Sequence, residues 1–316
     1  MLRQLGRTDI RISPLVLGGN VFLWTADKPT SFAVLDRFVD SGFETIDTAD
    51  AYSNWAPGNQ GGESESVIGE WMALRGRRHK TIIITKVGSE MAPGKSGLSA
   101  AYIAEAAEAS LRRLRTDYID VYLSHWPDPT VPYEETLRAH EALLRAGKVR
   151  AIGASNLDAS QLRASLDAAA AAGLPRYDVL QPEYNLADRT RFEGALRDLT
   201  MAEGIGVVTY FSLAKGFLTG KYRSVEDLGQ SPRGGDVRGY LNERGMRILA
   251  ALDATANAHQ ARPAEVALAW LMAQPGVTAP IASATSVSQV DSLMRAASLT
   301  LSADELAALT HASRRD

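Results

Sequence analysis

Eight short apolar runs rich in β-branched residues, each separated from the next by a stretch of helical periodicity, recur along the chain and leave few folds open to it. They lie at 15–19, 43–47, 81–85, 118–123, 149–153, 177–181, 205–210 and 277–282. Helical patterns fill the gaps at 30–41, 63–74, 99–113, 133–146, 158–172 and 189–203, with further ones at 241–258, 263–273, 286–297 and 302–313. Strands joined by helices run parallel, and eight such units suit a closed (β/α)8 TIM barrel better than an open doubly wound sheet. An open dinucleotide-binding sheet would carry a G-x-G-x-x-G turn after an early strand, and none is present. Residues 1–13 read as two short strands around Gly6-Arg7-Thr8-Asp9, a β-hairpin cap. The predicted fold class is therefore α/β: a TIM barrel with an N-terminal hairpin and extra C-terminal helices. No linker rich in proline and serine interrupts it, so residues 1–316 are expected to form a single domain.

Local signals support this division. Gly147, Gly173 and Gly204 stand just past helical patterns, where C-cap glycines belong. The basic cluster Arg75-Gly-Arg-Arg-His-Lys80 reads as a helix ending, with Gly76 as left-handed cap, rather than as an anion patch. Residues 211–240 form a long loop containing glycine, serine and arginine, of a length that usually marks function or mobility.

Partners are bounded by charge and by cysteine. A net charge of −3, from 34 basic and 37 acidic residues, gives no reason to expect nucleic acid or an anionic membrane. With no cysteine there is no disulfide, thiolate nucleophile or cysteine-ligated metal, and no metal is expected. The start of the chain lacks a secretory signal pattern and no apolar run is long enough to span a bilayer, so a cytoplasmic enzyme is the expectation.

In a barrel the strand ends face one another across a common mouth and can be read as one site. Here they are Gly18/Gly19/Asn20, Asp47 with Tyr52, Lys86, His125, Ser155/Asn156, Gln181, Tyr210 and Ser283/Thr285. Tyr52 follows a strand that ends in Asp47-Thr-Ala-Asp50. A phenol ordinarily titrates near 10, so proton transfer near neutrality calls for a nearby cation or hydrogen-bonding relay. Lys86 and His125 end two other apolar runs and are the candidates to supply it.

The motifs Asp47-Thr-Ala-Asp-Ala-Tyr52, Thr-Lys86, Leu-Ser-His125, Gly-Ala-Ser-Asn156, Leu-Gln181-Pro-Glu-Tyr-Asn and Tyr210-Phe-Ser-Leu-Ala-Lys-Gly-Phe-Leu-Thr-Gly-Lys221, in that order, resemble the aldo-keto reductase superfamily. The likeness is strongest to bacterial members near the potassium-channel β-subunits. It implies reversible reduction of an aldehyde or ketone to an alcohol, with a catalytic group of Asp47, Tyr52, Lys86 and His125. Tyr52 would give a proton to the carbonyl oxygen, Lys86 would ease formation of a phenolate, Asp47 would hold the lysine, and His125 would orient and polarise the carbonyl.

The resemblance also implies cofactor contacts. Ser155, Asn156 and Gln181 would bond the nicotinamide carboxamide and Tyr210 would stack on the ring. Leu213, Gly216 and Lys221 would wrap the pyrophosphate, together with Phe211, Ser212 and Ala214 on the same loop. Ser283, Thr285 and Gln289 would hold the adenosine half, and Gly19, Asn20 and Asp47 complete the set. NADPH is the favoured cofactor. NADH is the alternative, because Ala284-Thr-Ser-Val-Ser288 has no cation for a 2′-phosphate, although Lys215, Lys221, Arg223 or Arg233 could reach one.

Trp24, Trp55, Trp126 and Tyr184 are expected to wall a substrate pocket, beside the polar loop 54–62. The partner is a small carbonyl or alcohol; its identity and the oligomeric state are not encoded in these motifs. Two other readings compete. A glycoside hydrolase would need two carboxylates from facing strand ends, whereas Asp47 and Asp50 share one. A cofactor-binding redox sensor with little turnover would be expected to lack the full proton relay and to carry an extended N-terminal segment.

Overall fold

The structure is a computed structural model and describes residues 2–315. Two strands, β1 (Arg3–Gln4) and β2 (Arg11–Ile12), pair antiparallel as the predicted hairpin. Eight parallel strands then close a barrel: β3 (Val16–Gly18), β4 (Thr45–Asp47), β5 (Ile82–Val87), β6 (Ile119–Ser124), β7 (Val149–Ser155), β8 (Val179–Gln181), β9 (Gly206–Thr209) and β10 (Ala279–Ala282). They follow one another around the ring in chain order, and β10 pairs with β3 to close it.

Helices α1 (Lys28–Asp40), α2 (Glu63–Arg75), α3 (Ala100–Leu114), α4 (Tyr133–Arg145), α5 (Ala159–Ala172) and α6 (Ala195–Glu203) lie between successive strands. After β9 come α7 (Glu243–Ala258) and α8 (Pro263–Met272), and after β10 come α9 (Val287–Ala296) and α10 (Ala303–Ala312). The sequence-level reasons are local. In α3, Ile103, Ala106, Ala107, Ser110, Leu111 and Leu114 are buried at the three- and four-residue spacing of one helix face. Ser99 caps its start by accepting from the Tyr102 amide, and Arg115, at φ 52°, ends it. Helix α6 starts at Ala195 rather than 189, because Gly194 adopts φ 87° and ψ −132°, outside the helical region. The 211–240 segment is also more ordered than a bare loop, with short 3-10 turns at Ala214–Thr219, Val225–Gln230 and Gly234–Tyr240.

Strand alternation separates two cores. Ile46, Ile83, Tyr122, Ile152 and Leu180 face the helices, while Val16, Ile84, Val121, Leu123, Ala151 and Val179 fill the barrel. Leu5, Ile10 and Ile12 of the hairpin join that inner cluster, so the hairpin plugs the end opposite the strand C-termini. The basic cluster belongs to the same structural end. Gly76 is a left-handed cap at φ 61°, Arg75 pairs with Asp36, and Arg78 pairs with Asp120 at 2.8 Å. At the other end, alternation turns Asp47, Lys86, Ser155 and Gln181 inward, each in step with an inward apolar residue earlier in its strand or next to an outward one.

Helix α2 passes so close to the end of α3 that a Cβ on Gly69 would lie 2.1 Å from the Arg113 carbonyl oxygen and 2.6 Å from the Leu114 carbonyl carbon. Alanine favours a helix by about 1 kcal/mol over glycine. The collision with backbone should outweigh that gain, and Gly69→Ala is expected to destabilise by about 1–3 kcal/mol. The check is a urea unfolding curve, whose midpoint should fall without a change in slope; an unchanged or higher midpoint would show that the two helices can part.

Candidate active site

Lys86 is fully buried and its ammonium has three protons to place. Asp47 takes it through both oxygens, at 2.8 and 2.9 Å, the Thr48 carbonyl oxygen at 2.8 Å and the Tyr52 phenol oxygen at 2.8 Å. Asp47 also accepts from Gln181 Nε2 at 2.8 Å, and from the Tyr52 hydroxyl at 3.2 Å. Three strand ends, β4, β5 and β8, are thus tied through one carboxylate. The Tyr52 bond to Asp47 is long for an O–H···O contact, so the phenol holds its acceptor loosely while it is itself held firmly by Lys86.

The electrostatics differ from the sequence expectation in one respect. Burial and the adjoining Asp47 carboxylate raise the Tyr52 phenol well above its usual value, with the Arg233 cation opposing. Tyr52 therefore stands protonated as a donor and does not titrate near neutrality. Burial lowers the Lys86 ammonium from its usual value, against the pull of Asp47. His125 follows β6, and its ring lies 6.1 Å from that of Tyr52, edge to face. Burial, with help from the Lys86 charge, lowers it to about 3, so the imidazole is neutral. Its Nδ1 meets Ser89 Oγ at 3.0 Å, and Ser89 accepts from Trp126 Nε1 at 3.1 Å.

The remaining strand-end groups form a second network beside this one. Ser155 donates to the Gln181 carbonyl oxygen at 2.7 Å. Asn156, at φ 62°, donates to the His125 carbonyl oxygen at 2.9 Å and accepts from the Tyr210 hydroxyl at 2.7 Å. Across the mouth, Ser283 donates to Asn20 Oδ1 at 2.6 Å. Gly18 and Gly19 have packing reasons to be glycine: a Cβ would lie 2.5 Å from Ser283 Oγ in the first case and 2.8 Å from Ser64 Oγ in the second.

On the loop after β9, Phe211, Ala214, Lys215 and Gly216 all adopt positive φ, at 50°, 47°, 57° and 104°. Ser212 is buried and donates to the Thr209 carbonyl oxygen, the Ala214 side chain is buried, and Leu213 packs on the main core. Among the described residues Lys215 and Lys221 make no ion pair; they lie over the rings of Phe211 and Tyr222. Arg223, by contrast, is held by Asp253. Gln289 turns back to accept from the amide and hydroxyl of Thr285, at the start of α9.

Trp24 and Trp55 meet edge to face at 5.6 Å, and Trp55 lies 6.0 Å from Tyr52. Trp126 stacks on His125 at 5.5 Å. These three line the mouth near the phenol. Tyr184 does not: it is buried against Phe192 and Trp270 and donates to Glu193, because its side chain points to the helix layer.

Sequence reasoning missed a buried acidic pair behind β5. Glu65 accepts from Thr85 Oγ1 at 2.6 Å and Arg113 Nε at 2.7 Å. Asp50, 1% exposed, has no partner for either carboxylate oxygen among the described residues, while its amide donates to the Lys86 carbonyl oxygen. Burial, then the Glu65 charge, push Asp50 up to about 8. Spacing gave no warning, since Asp50 reads as one more polar residue at a strand end. No group of residues that could hold a metal occurs among the described residues, and no helix there is long and apolar enough to cross a membrane.

Comparison with known proteins bears on this site. The model of the Aldo/keto reductase family matches residues 14–314. The chain is 35% identical to "Uncharacterized oxidoreductase YrpG" of Bacillus subtilis, over 94% of this chain and 91% of that one. It is 32% identical to "Protein tas" of Escherichia coli, over 96% and 95%. A "Probable voltage-gated potassium channel subunit beta" of Oryza sativa is 32% identical over 93% and 90%.

Asp50 makes a pH prediction. Its carboxyl is neutral in the fold up to about pH 8 but ionised in the unfolded chain above about 4, so its contribution to stability is full below the unfolded value and drains away as pH rises to the folded one. Asp50→Asn has no such ionisation. Its stability relative to the parent should therefore climb between pH 4 and 8, by up to about 1.4 kcal/mol per pH unit, and level off above. Thermal melts of both proteins across that range test this; a flat difference would mean that Asp50 is ionised in the fold.

Proposed function

The chain belongs to the aldo/keto reductase family and is an oxidoreductase, and from that premise we propose that it reduces an aldehyde or ketone reversibly with NAD(P)H, taking the proton from Tyr52. The observation that carries this reading is the Lys86 ammonium shared among Asp47, Thr48 and Tyr52 with the phenol still protonated.

A nicotinamide cofactor suits the chemistry of the surrounding groups. One hydroxyl, Ser155, and two side-chain amides, Asn156 and Gln181, stand at neighbouring strand ends, with the Tyr210 hydroxyl bonded to Asn156, and groups of this kind can exchange hydrogen bonds with a carboxamide beside an aromatic ring. Phe211, Ser212, Leu213, Ala214, Gly216 and Lys221 would follow the phosphates, with the two unpaired lysines as counter-charge. Gly19, Asn20, Ser283, Thr285 and Gln289 would complete the adenosine side. NADPH is the favoured form on the family resemblance, and NADH is the alternative because residues 284–288 offer no cation to a 2′-phosphate. When bound, the nicotinamide supplies the hydride equivalent received by the carbonyl carbon.

The chain's own residues do the rest. A carbonyl oxygen that approaches Tyr52 competes with Asp47 Oδ2 for the phenol hydrogen, and the 3.2 Å contact is the weaker rival. As that hydrogen passes to the oxygen, Lys86, already donating to the phenol, stabilises the phenolate left behind. Neutral His125 serves as a second donor if Ser89 gives its hydrogen to Nδ1, which leaves the ring proton on Nε2. The Trp126 bond to Ser89 favours that arrangement by filling one of the serine lone pairs.

The experiment is turnover with NADPH and NADH over a panel of aldehydes and ketones, with Tyr52→Phe in parallel. Tyr52→Phe should lose at least about 10²-fold in kcat, the usual worth of a positioned proton donor, while still binding NADPH. Undiminished turnover would exclude Tyr52 as the donor. The relatedness to a protein described as a channel β-subunit keeps a second reading, a redox sensor with little turnover. Tight NADPH binding without turnover of any carbonyl would favour it.

A further inference from the structure

Resting on the reductase reading above, we propose that Asp50 is a positioning residue for Lys86: it serves proton transfer from Tyr52 by staying uncharged behind the ammonium, and the reaction slows when it ionises. The segment from Asp47 to Asp50 holds Lys86 at both ends. The Asp47 carboxylate takes the ammonium at 2.8 and 2.9 Å and the Thr48 carbonyl oxygen takes it at 2.8 Å, while the Asp50 amide donates to the Lys86 backbone carbonyl oxygen at 3.2 Å. The Lys86 side chain enters the mouth, and the Asp50 carboxyl lies on the helix side of the same stretch. Glu65 faces it from α2, Arg113 and Tyr102 from α3, Lys86 from β5 and Tyr122 from β6.

Geometry keeps this carboxyl neutral. Of the two acids Glu65 is the one supplied with donors, from Thr85 at 2.6 Å and Arg113 at 2.7 Å. Asp50 receives none. It is 1% exposed, and neither of its oxygens has a partner among the described residues. A carboxylate there would be desolvated, unbonded and beside a like charge, so the group takes up a proton instead. Burial, and after it Glu65, raise it to about 8. The consequence for the reaction is electrostatic. When Tyr52 gives its hydrogen to the carbonyl oxygen, Lys86 has to stabilise the phenolate, and it does so with the charge that Asp47 leaves uncompensated. Burial lowers the ammonium's pKa, and the charges of Asp47 and then Asp50 pull against that. An ionised Asp50 is thus a second anion on the same cation and leaves less of it for the phenolate. Asp50 itself gives and takes no proton in the reaction and acts only through Lys86.

The test is the rate of NADPH oxidation by 4-nitrobenzaldehyde, followed in single turnovers so that product release does not mask the chemical step, from about pH 6 to about pH 9.5. The parent should lose roughly three- to tenfold in rate as pH passes about 8, the effect of one added charge at partly screened range. Tyr52, raised well above its usual value, and His125, lowered to about 3, do not bend the profile there. Asp50→Asn has nothing to ionise, so its own rate should stay level across the range. Asp50→Leu should behave alike and guards against a folding fault peculiar to asparagine. A parent profile without the fall, or a fall that persists in either variant, overturns the proposal. Failure to turn over any aldehyde would count against the reductase reading itself. The proposal is then judged on Lys86, through its 13Cε NMR signal, identified by its loss in Lys86→Met. That signal should shift near pH 8 in the parent and not in Asp50→Asn, and equal behaviour in the two proteins sinks the proposal.

Discussion

A buried ammonium paired with a buried carboxylate is the contact on which the rest of the mouth depends. Lys86 is fully buried and Asp47 almost so, and either one alone in that position would carry a desolvation penalty of several kcal/mol. The pair is tolerable because every proton and most lone pairs are used: Thr48, Tyr52 and Gln181 complete the shell. That completeness requires strand register. Asp47 stands opposite Ile84 and Lys86 opposite Leu123, and a slip of one residue in β5 would turn Lys86 into the helix layer and leave Asp47 alone. The apolar alternation of the barrel thus does chemical service by aiming two charges at one point.

The two ends of the barrel differ in kind. The hairpin end is filled with Leu5, Ile10 and Ile12 and ringed by paired arginines, an arrangement that serves stability. Around the mouth lie groups that cost stability. Among the described residues Asp50, in the loop that leaves β4, is buried with neither carboxylate oxygen bonded, and Arg233, in the segment after β9, is half-buried without an ion pair. Such costs collect where a protein binds and reacts, and they are offset elsewhere.

Most of the architecture was legible because it is written in periodicities. Short apolar runs rich in β-branched residues and three-to-four-residue stripes located all eight barrel strands and the ring helices, and the lack of a glycine-rich turn after an early strand removed the rival sheet. The ends of elements were legible where a residue has a special backbone role, as at Ser99 and Gly76, but not at Gly194, where glycine inside an otherwise helical pattern carries no mark of its own conformation. In the site, Asp47, Tyr52 and Lys86 were readable as strand ends and do meet. Direction was harder to read. Tyr184 was placed in the pocket because it follows β8, yet it points outward, and the pKa of Tyr52 moves up rather than down because burial, and after it the Asp47 charge, raise it in a way that the presence of Lys86 in the sequence does not reveal. Asp50 acquires its meaning only from the burial and the Glu65 charge that the fold brings to it.

Backbone strain follows the same division between the ends. The described residues other than glycine with positive φ are Leu23, Ser53, Arg115, Asn156, Phe211, Ala214, Lys215 and Gln260. Arg115 and Gln260 follow helices, but the other six all lie on loops that leave β3, β4, β7 and β9 at the mouth. A left-handed residue with a side chain costs roughly 1–2 kcal/mol, so the cost is concentrated on one face of the molecule. Specific bonds hold it in place. Ser53 donates to the Phe22 carbonyl oxygen at 2.6 Å, Asn59 bridges the carbonyls of Leu23 and Ser53, and Asn185 donates to that of Phe211 at 3.0 Å. These cross-links join the β3 loop to the β4 loop and the β8 loop to the β9 loop, which fixes the aromatic wall of Trp24 and Trp55 on one side and the positive-φ segment on the other. Chains that store strain in this way hold their polar and aromatic groups in position before a ligand arrives, and less of the binding energy is then spent on ordering the loops.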